Sequence, residues 1–226
     1  MNKKLDELAI RHGTDKGPID ASGKRGHHFT SVYSDYLGHM TATGFRMLEI
    51  GVKEGASIRM WRDFFPQAKI VGIDINPMCV RHAGGNVTVE IVDQGDLTAM
   101  RAFANRVADF DVIIDDGGHA MRQQIMSFEV LFPKLAGGGI YFIEDTHTSY
   151  MRLFREGTAT TTVEYFKSMV DAMNLGRPIM ADMFVEPVEI DARSVEFCAG
   201  LIAVRKGRGT LAARGEAARL LQAENG

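Results

Sequence analysis

From Phe45 onward the chain alternates short apolar runs with longer amphipathic segments, and no other feature constrains the fold as tightly. Short runs bounded by Gly, Pro and acidic residues read as strands, and a helical segment between each pair forces a parallel crossover. The runs are Arg46 to Ile50, Lys69 to Ile73, Val87 to Val92, Val112 to Ile114 and Gly139 to Ile143, all rich in β-branched or aromatic residues. Apolar residues at helical spacing occupy Ser57 to Phe65 and Met121 to Phe132, and less regularly Leu97 to Val107. Near the end, Glu186 to Ile190 and Val195 to Val204 read as an antiparallel hairpin with Asp191 to Ser194 as its turn. The expected fold class is α/β: a doubly wound, mostly parallel seven-stranded sheet with a C-terminal antiparallel hairpin.

The flanks are less regular. Lys3 to Arg11 reads as one helix, whereas residues 13 to 30 are rich in Gly, charge and His and read as a loop or lid. After Val204 the composition turns to Arg, Gly, Ala and Glu, with an amphipathic stretch from Leu211 to Gln222. The expected division is an N-terminal helix and lid (1–44), the α/β domain (45–206) and a tail (207–226). A chain of 226 residues with 45% apolar content can bury one sizeable core. The basic opening is interrupted by Asp6 and Glu7, so no secretory signal is expected, and no apolar run is long enough for a membrane span. Cys79 and Cys198 are far apart with apolar neighbours, which suits packing thiols in a reducing cytoplasm. A net charge of −3 without a basic stripe argues against a nucleic-acid partner and favours small molecules or glycans. Whether the chain forms a homo-oligomer is left open.

Three segments fall at strand ends, where open α/β sheets bind ligands. The first runs Leu48-Glu49-Ile50-Gly51-Val52-Lys53-Glu54-Gly55-Ala56-Ser57, from strand into helix, with glycines where a ligand must approach backbone. Its G-x-x-x-G spacing differs from the dinucleotide pattern, and Glu49 ahead of Gly51 suits an amino-bearing ligand better than a pyrophosphate. The second is Val71-Gly72-Ile73-Asp74, whose carboxylate could accept both ribose hydroxyls of a nucleoside. The third, Asp93-Gln94-Gly95-Asp96, could contact adenine or simply turn the chain.

Order and spacing here resemble class I S-adenosylmethionine methyltransferases, a Rossmann-like family whose sheet ends in an antiparallel hairpin; the resemblance covers residues 45 to 205. It implies that Gly51 and Gly55 border the methionine portion of S-adenosylmethionine, that Asp74 holds the ribose and that Gln94 lies near adenine. Glu49, Ser57 and Asp115 are counted with them as cofactor-binding.

Two further runs follow the fourth and fifth strands: Asp115-Asp116-Gly117-Gly118-His119 and Ile143-Glu144-Asp145-Thr146-His147. Asp116, Glu144 and Asp145 would form an oxygen-rich cluster whose mutual repulsion a hard cation such as Mg²⁺ neutralises. Glu144 and Asp145 are consecutive, so both can bind only if the strand has already ended. His119 could take a proton, and His147 is a competing base. The alternative is that Gly117-Gly118 is merely a turn and the carboxylates are solvated. Together with His12-Gly13-Thr14-Asp15-Lys16, these runs resemble the metal-dependent sugar O-methyltransferases of the mycinamicin type. That resemblance implies Mg²⁺, or another divalent cation, on Asp116, Glu144 and Asp145, His119 as general base, and a sugar hydroxyl as acceptor. The rival readings are a metal-dependent methyltransferase for catechols or other small phenols and a noncatalytic S-adenosylmethionine-binding protein. Tyr33 and Tyr36 are candidates for an aromatic sugar platform, with residues 13 to 40 and 146 to 185 as candidate acceptor-pocket segments.

Overall fold

A computed structural model describes residues 3–175 and 191–208. Its sheet has seven strands in the order β3-β2-β1-β4-β5-β7-β6: β1 (Arg46–Ile50), β2 (Lys69–Asp74), β3 (Val87–Ile91), β4 (Phe110–Asp115), β5 (Leu135–Glu144), β6 (Ala192–Cys198) and β7 (Leu201–Lys206). The helices are α1 (Lys3–His12), α2 (Phe29–Leu37), α3 (Ala56–Phe64), α4 (Leu97–Arg106), α5 (Met121–Leu131) and α6 (Thr162–Leu175). The chain forms two compact units, Met1–Gln94 and Gly95–Gly226. Among the described residues no helix is long and apolar enough to cross a membrane. Cys79 and Cys198 are free thiols.

In the first unit β1, β2 and β3 pair in parallel. α3 buries Ser57, Ile58, Trp61 and Phe64, the i, i+3/i+4 stripe that a helix needs to cover a sheet. α1 packs against α3 and buries Leu5, Leu8 and Ala9 at the same spacing. Within the stretch expected to be a loop or lid, α2 begins at Phe29. Its buried Phe29, Tyr33 and Leu37 recur every fourth residue, a stripe masked by the polar residues before it. Tyr33 is therefore core, not a sugar platform: it is fully buried, with its ring edge-on to Trp61 at 5.0 Å.

In the second unit β4 and β5 are parallel, and β7 joins β5 antiparallel and pairs with β6. β4 is buried from Val112 to Asp115, as expected for a strand covered on both faces. β5 starts at Leu135, ahead of the expected Gly139. Its glycines weaken the strand signal, and the backbone requires them: Gly138 has φ +86°, and a Cβ on Gly139 would meet Asp111 O at 2.7 Å. Phe128 of α5 anchors an aromatic cluster, with centroids at 4.7 Å from Phe132, 4.8 Å from Phe166 and 5.2 Å from Tyr141. α6 occupies part of the 146 to 185 segment and buries Tyr165, Phe166 and Met169.

The C-terminal hairpin is present, but its turn is not at Asp191 to Ser194. β6 begins at Ala192, and the chain reverses at Ala199-Gly200, where Cys198 pairs with Leu201 and Gly200 takes φ +75°. A glycine in that conformation closes a two-residue loop without steric cost, so the expected Val195 to Val204 strand is two strands. The expected strand Glu186 to Ile190 and the Leu211 to Gln222 stretch lie outside the described residues.

Candidate functional site

The glycine-bearing loop of the first unit is folded around one carboxylate. Gly51 leaves β1 with φ +92° and donates to Ile73 O at 2.8 Å. The Val52 and Lys53 N–H groups both donate to Asp74 Oδ2 at 2.8 Å, and Asn76 N donates to Asp74 Oδ1 at 2.8 Å. Burial pushes the Asp74 carboxyl upward, but the N–H groups of Lys53, Asn76 and Val52 more than offset it, and its pKa falls below the usual value. Gly55 opens α3 with φ +72°, and a Cβ there would lie 2.5 Å from His82 Cγ. Burial holds the neighbouring Cys79 thiol up at about 11, reinforced by the Asp74 charge.

Glu49, expected to face an amino-bearing ligand, has its carboxylate taken up by protein. Ser57 Oγ donates to it at 3.0 Å and Trp61 Nε1 at 3.1 Å, while Lys16 Nζ stands 3.7 Å away. Lys16 and Glu49 are both fully buried. The His-Gly-Thr-Asp-Lys segment thus anchors under β1 through its lysine, and Ser57 serves Glu49. Gln94 is buried at the end of this unit.

In the second unit three side chains converge where β4 and β5 end. Asp116, His119 and Asp145 each present one donor atom, and these atoms lie within 4.8 Å of one another. His119 Nε2 is 3.4 Å from Asp145 Oδ2 and 3.9 Å from Asp116 Oδ1. Its Nδ1 is buried without a hydrogen-bond partner. Glu144 is still within β5, is buried, and is not one of the three. Asp145 escapes the strand alternation because it sits at φ +54° ahead of the turn Thr146–Tyr150, and His119 is likewise left-handed at φ +58°. Backbone of this kind costs of order 1–3 kcal/mol per residue and persists only where its surroundings hold it.

Those surroundings are specific. Thr148 Oγ1 lies 3.1 Å from His119 O and 2.9 Å from Asp145 O. Gln124 Nε2 donates to Glu144 O at 2.8 Å, and Thr162 Oγ1 donates to Gln124 Oε1 at 2.7 Å. Thr146 N donates to Gly200 O at 3.0 Å, tying the turn to the C-terminal hairpin. His147 Nδ1 stands 3.8 Å from Asp145 Oδ1, on the more exposed side. Asp115 is buried; burial, and then the Asp115 charge, push the Tyr141 hydroxyl well above its usual pKa. Thr148 and Gln124 escaped sequence reasoning because a Thr in a Thr-His-Thr turn and a Gln on a helix look ordinary; only the fold brings them to the His119 and Glu144 carbonyls.

Residues 48–146 match a family profile described as a methyltransferase domain. Over 213 residues the chain is 31% identical to an 8-demethyl-8-alpha-L-rhamnosyl tetracenomycin-C 2'-O-methyltransferase of Streptomyces olivaceus, covering 89% of this chain and 54% of that protein. It is 36% identical over 185 residues to an L-olivosyl-oleandolide 3-O-methyltransferase of Streptomyces antibioticus, covering 75% and 46%. The solved structure of the MycE methyltransferase from the mycinamycin biosynthetic pathway, in complex with Mg, SAH and mycinamycin VI, superposes with a TM-score of 0.78 at 30% identity. That match covers 92% of this chain and 55% of MycE. The chain therefore spans about half the length of these relatives.

Proposed function

We propose that the chain transfers a methyl group from S-adenosylmethionine to a sugar hydroxyl of a glycoside, glycolipid or oligosaccharide, using Mg²⁺ or another divalent cation and His119 as the base. The observation that carries this reading is the convergence of Asp116, His119 and Asp145. Two carboxylates about 5 Å apart at an effective dielectric near 20 repel by roughly 3 kcal/mol, a cost that a hard cation on oxygen donors removes. The donor set fits such an ion: Asp116 and Asp145 would hold it, and Glu144, one residue before Asp145, is the further candidate ligand. When bound, the cation supplies Lewis acidity that draws down the pKa of an acceptor hydroxyl. His119, kept beside both carboxylates, takes the proton, and the chain's other task is to align the acceptor.

On the cofactor side, the glycine loop fits the methionine and ribose portions of S-adenosylmethionine. Gly51 and Gly55, both at positive φ, turn the loop that would border the ligand, Asp74 fixes the loop and offers a carboxylate toward ribose hydroxyls, and Gln94 is assigned to adenine. Asp115 backs Asp116 from the buried end of β4. Glu49 and Ser57 act through the loop they brace. The sugar acceptor rests on the relatives, both named for methylation of glycosylated compounds, and on the MycE complex with mycinamycin VI. We assign the activity to residues 45–206, flanked by the N-terminal segment and the tail, in a cytoplasmic setting. Labelled methyl transfer from S-adenosylmethionine to a panel of glycosides and catechols, with Mg²⁺ and then EDTA, tests the reading. Glycoside methylation abolished by EDTA and restored by Mg²⁺ is expected; EDTA-resistant transfer, or a preference for catechols, would overturn the metal or the sugar assignment respectively.

A further inference from the structure

We infer that Thr148 is a positioning residue, whose hydroxyl locks the loop bearing His119 onto the turn bearing Asp145 and so preassembles the cation site. The inference rests on the proposed function of that cluster. Asp116, His119 and Asp145 come from the two segments that follow β4 and β5, and both His119 and Asp145 are left-handed. Histidine and aspartate enter that region more often than most residues with a side chain, yet the conformation is uncommon and persists only where its surroundings hold it. Thr148 is buried at 3% exposure, with its Oγ1 between His119 O and Asp145 O.

A hydroxyl has one proton to donate, and the geometry decides where it is needed. Asp145 O already accepts from the Thr148 backbone N–H at 3.0 Å, so it remains satisfied without the hydroxyl. His119 O has the Thr148 hydroxyl as its donor at 3.1 Å, across 29 residues of sequence. Removing that hydroxyl would leave the segment from Asp116 to His119 free to relax from φ +58° at His119, carrying Asp116, a proposed cation ligand, and the imidazole away from Asp145. Asp145 itself stays held by its own turn. The expected defect is therefore loss of alignment between the two segments, not loss of either donor.

The experiment uses the full chain without S-adenosylmethionine or acceptor and measures Mn²⁺ binding by electron paramagnetic resonance. Wild type, Thr148→Val and Thr148→Ser are compared, with melting temperature as the control for folding. Val keeps the volume and removes the hydroxyl; Ser keeps the hydroxyl. Loss of a group that orients a metal ligand weakens metal binding by about 10–100-fold, so Thr148→Val should raise the Mn²⁺ Kd at least about tenfold while Thr148→Ser stays within about threefold of wild type. The same order should appear in kcat, with KM for S-adenosylmethionine unchanged. Thr148→Val binding Mn²⁺ like wild type, or Thr148→Ser as impaired as Thr148→Val, would overturn the positioning role while leaving the cation site standing. Absence of Mn²⁺ binding by the wild type itself would overturn the proposed function and this inference with it.

Discussion

Gly55→Ala perturbs the cofactor loop by two separable routes. At φ +72° an added Cβ meets the left-handed penalty of about 1–2 kcal/mol for an L-residue. The same Cβ would lie 2.5 Å from Cγ and 2.6 Å from Nδ1 of His82, ring atoms near the side-chain root that must move bodily. Overpacking of that kind adds about 1–3 kcal/mol, for a total of roughly 2–5 kcal/mol. A cycle of Gly55→Ala, His82→Ala and the double variant separates the two, because His82→Ala removes the clash and leaves the backbone penalty. Urea unfolding should show a favourable coupling of about 1–3 kcal/mol in the double variant, with a residual loss of about 1–2 kcal/mol relative to His82→Ala alone. Calorimetric S-adenosylmethionine binding should weaken in both Gly55→Ala backgrounds, since the loop conformation is altered in each. Strict additivity, within about 0.5 kcal/mol, would refute the close approach to His82. A Gly55→Ala variant as stable as wild type would refute both routes.

Three other perturbations follow from the site. His119→Ala should lower turnover by about 10²–10⁴ with S-adenosylmethionine affinity retained; near-normal turnover rejects it as the base. The folded-state pKa of Asp74 lies below its usual 3.8, so its stabilisation is complete above that value and disappears as pH falls through the folded one. Asp74→Asn should therefore lose less stability than wild type as pH falls below 3.8, and superimposable acid limbs in chemical unfolding would contradict the hydrogen-bonding account. Lys16→Met removes the cation beside the buried Glu49 carboxylate and should cost about 3–5 kcal/mol, whereas Lys16→Met with Glu49→Gln should recover most of it. If the double variant is no more stable than the single one, the pair is not the anchor of the N-terminal segment.

The parallel core was legible because each strand is a short apolar run with a distinct end, and β1 starts and stops at the expected Arg46 and Ile50. Where local composition and tertiary context disagreed, the sequence misled. Asp191 to Ser194 has the residue types of a turn, yet the reversal uses Ala199-Gly200, one glycine in an otherwise apolar stretch. α2 was hidden because its buried face starts at Phe29, immediately after a stretch of Gly, Lys and His. At the site, the acidic residues and His119 were visible as residue types after strands. What could not be read was the backbone: strand alternation sets Glu144 and Asp145 on opposite sides, and the left-handed conformation at Asp145 decides which of them joins Asp116 and His119. That conformation is held locally by Thr148, three residues on, and by the Gly200 carbonyl, which reaches the turn across a long sequence separation that no local pattern announces.

The bond from Thr146 to Gly200 has a consequence for synthesis on the ribosome. The turn that presents Asp145 is braced from one side by the reversal between β6 and β7, and β7 completes the pairing of β5 from Ile140 to Glu144. A nascent chain that has released β4 and β5 but not yet β7 has every acidic residue of the cluster and lacks the brace that shapes its second half. Until then the bare edge of β5 is a surface that other nascent chains could pair with. Assembly of the proposed cation site should consequently be a late event, occurring after the C-terminal hairpin has cleared the exit tunnel and docked.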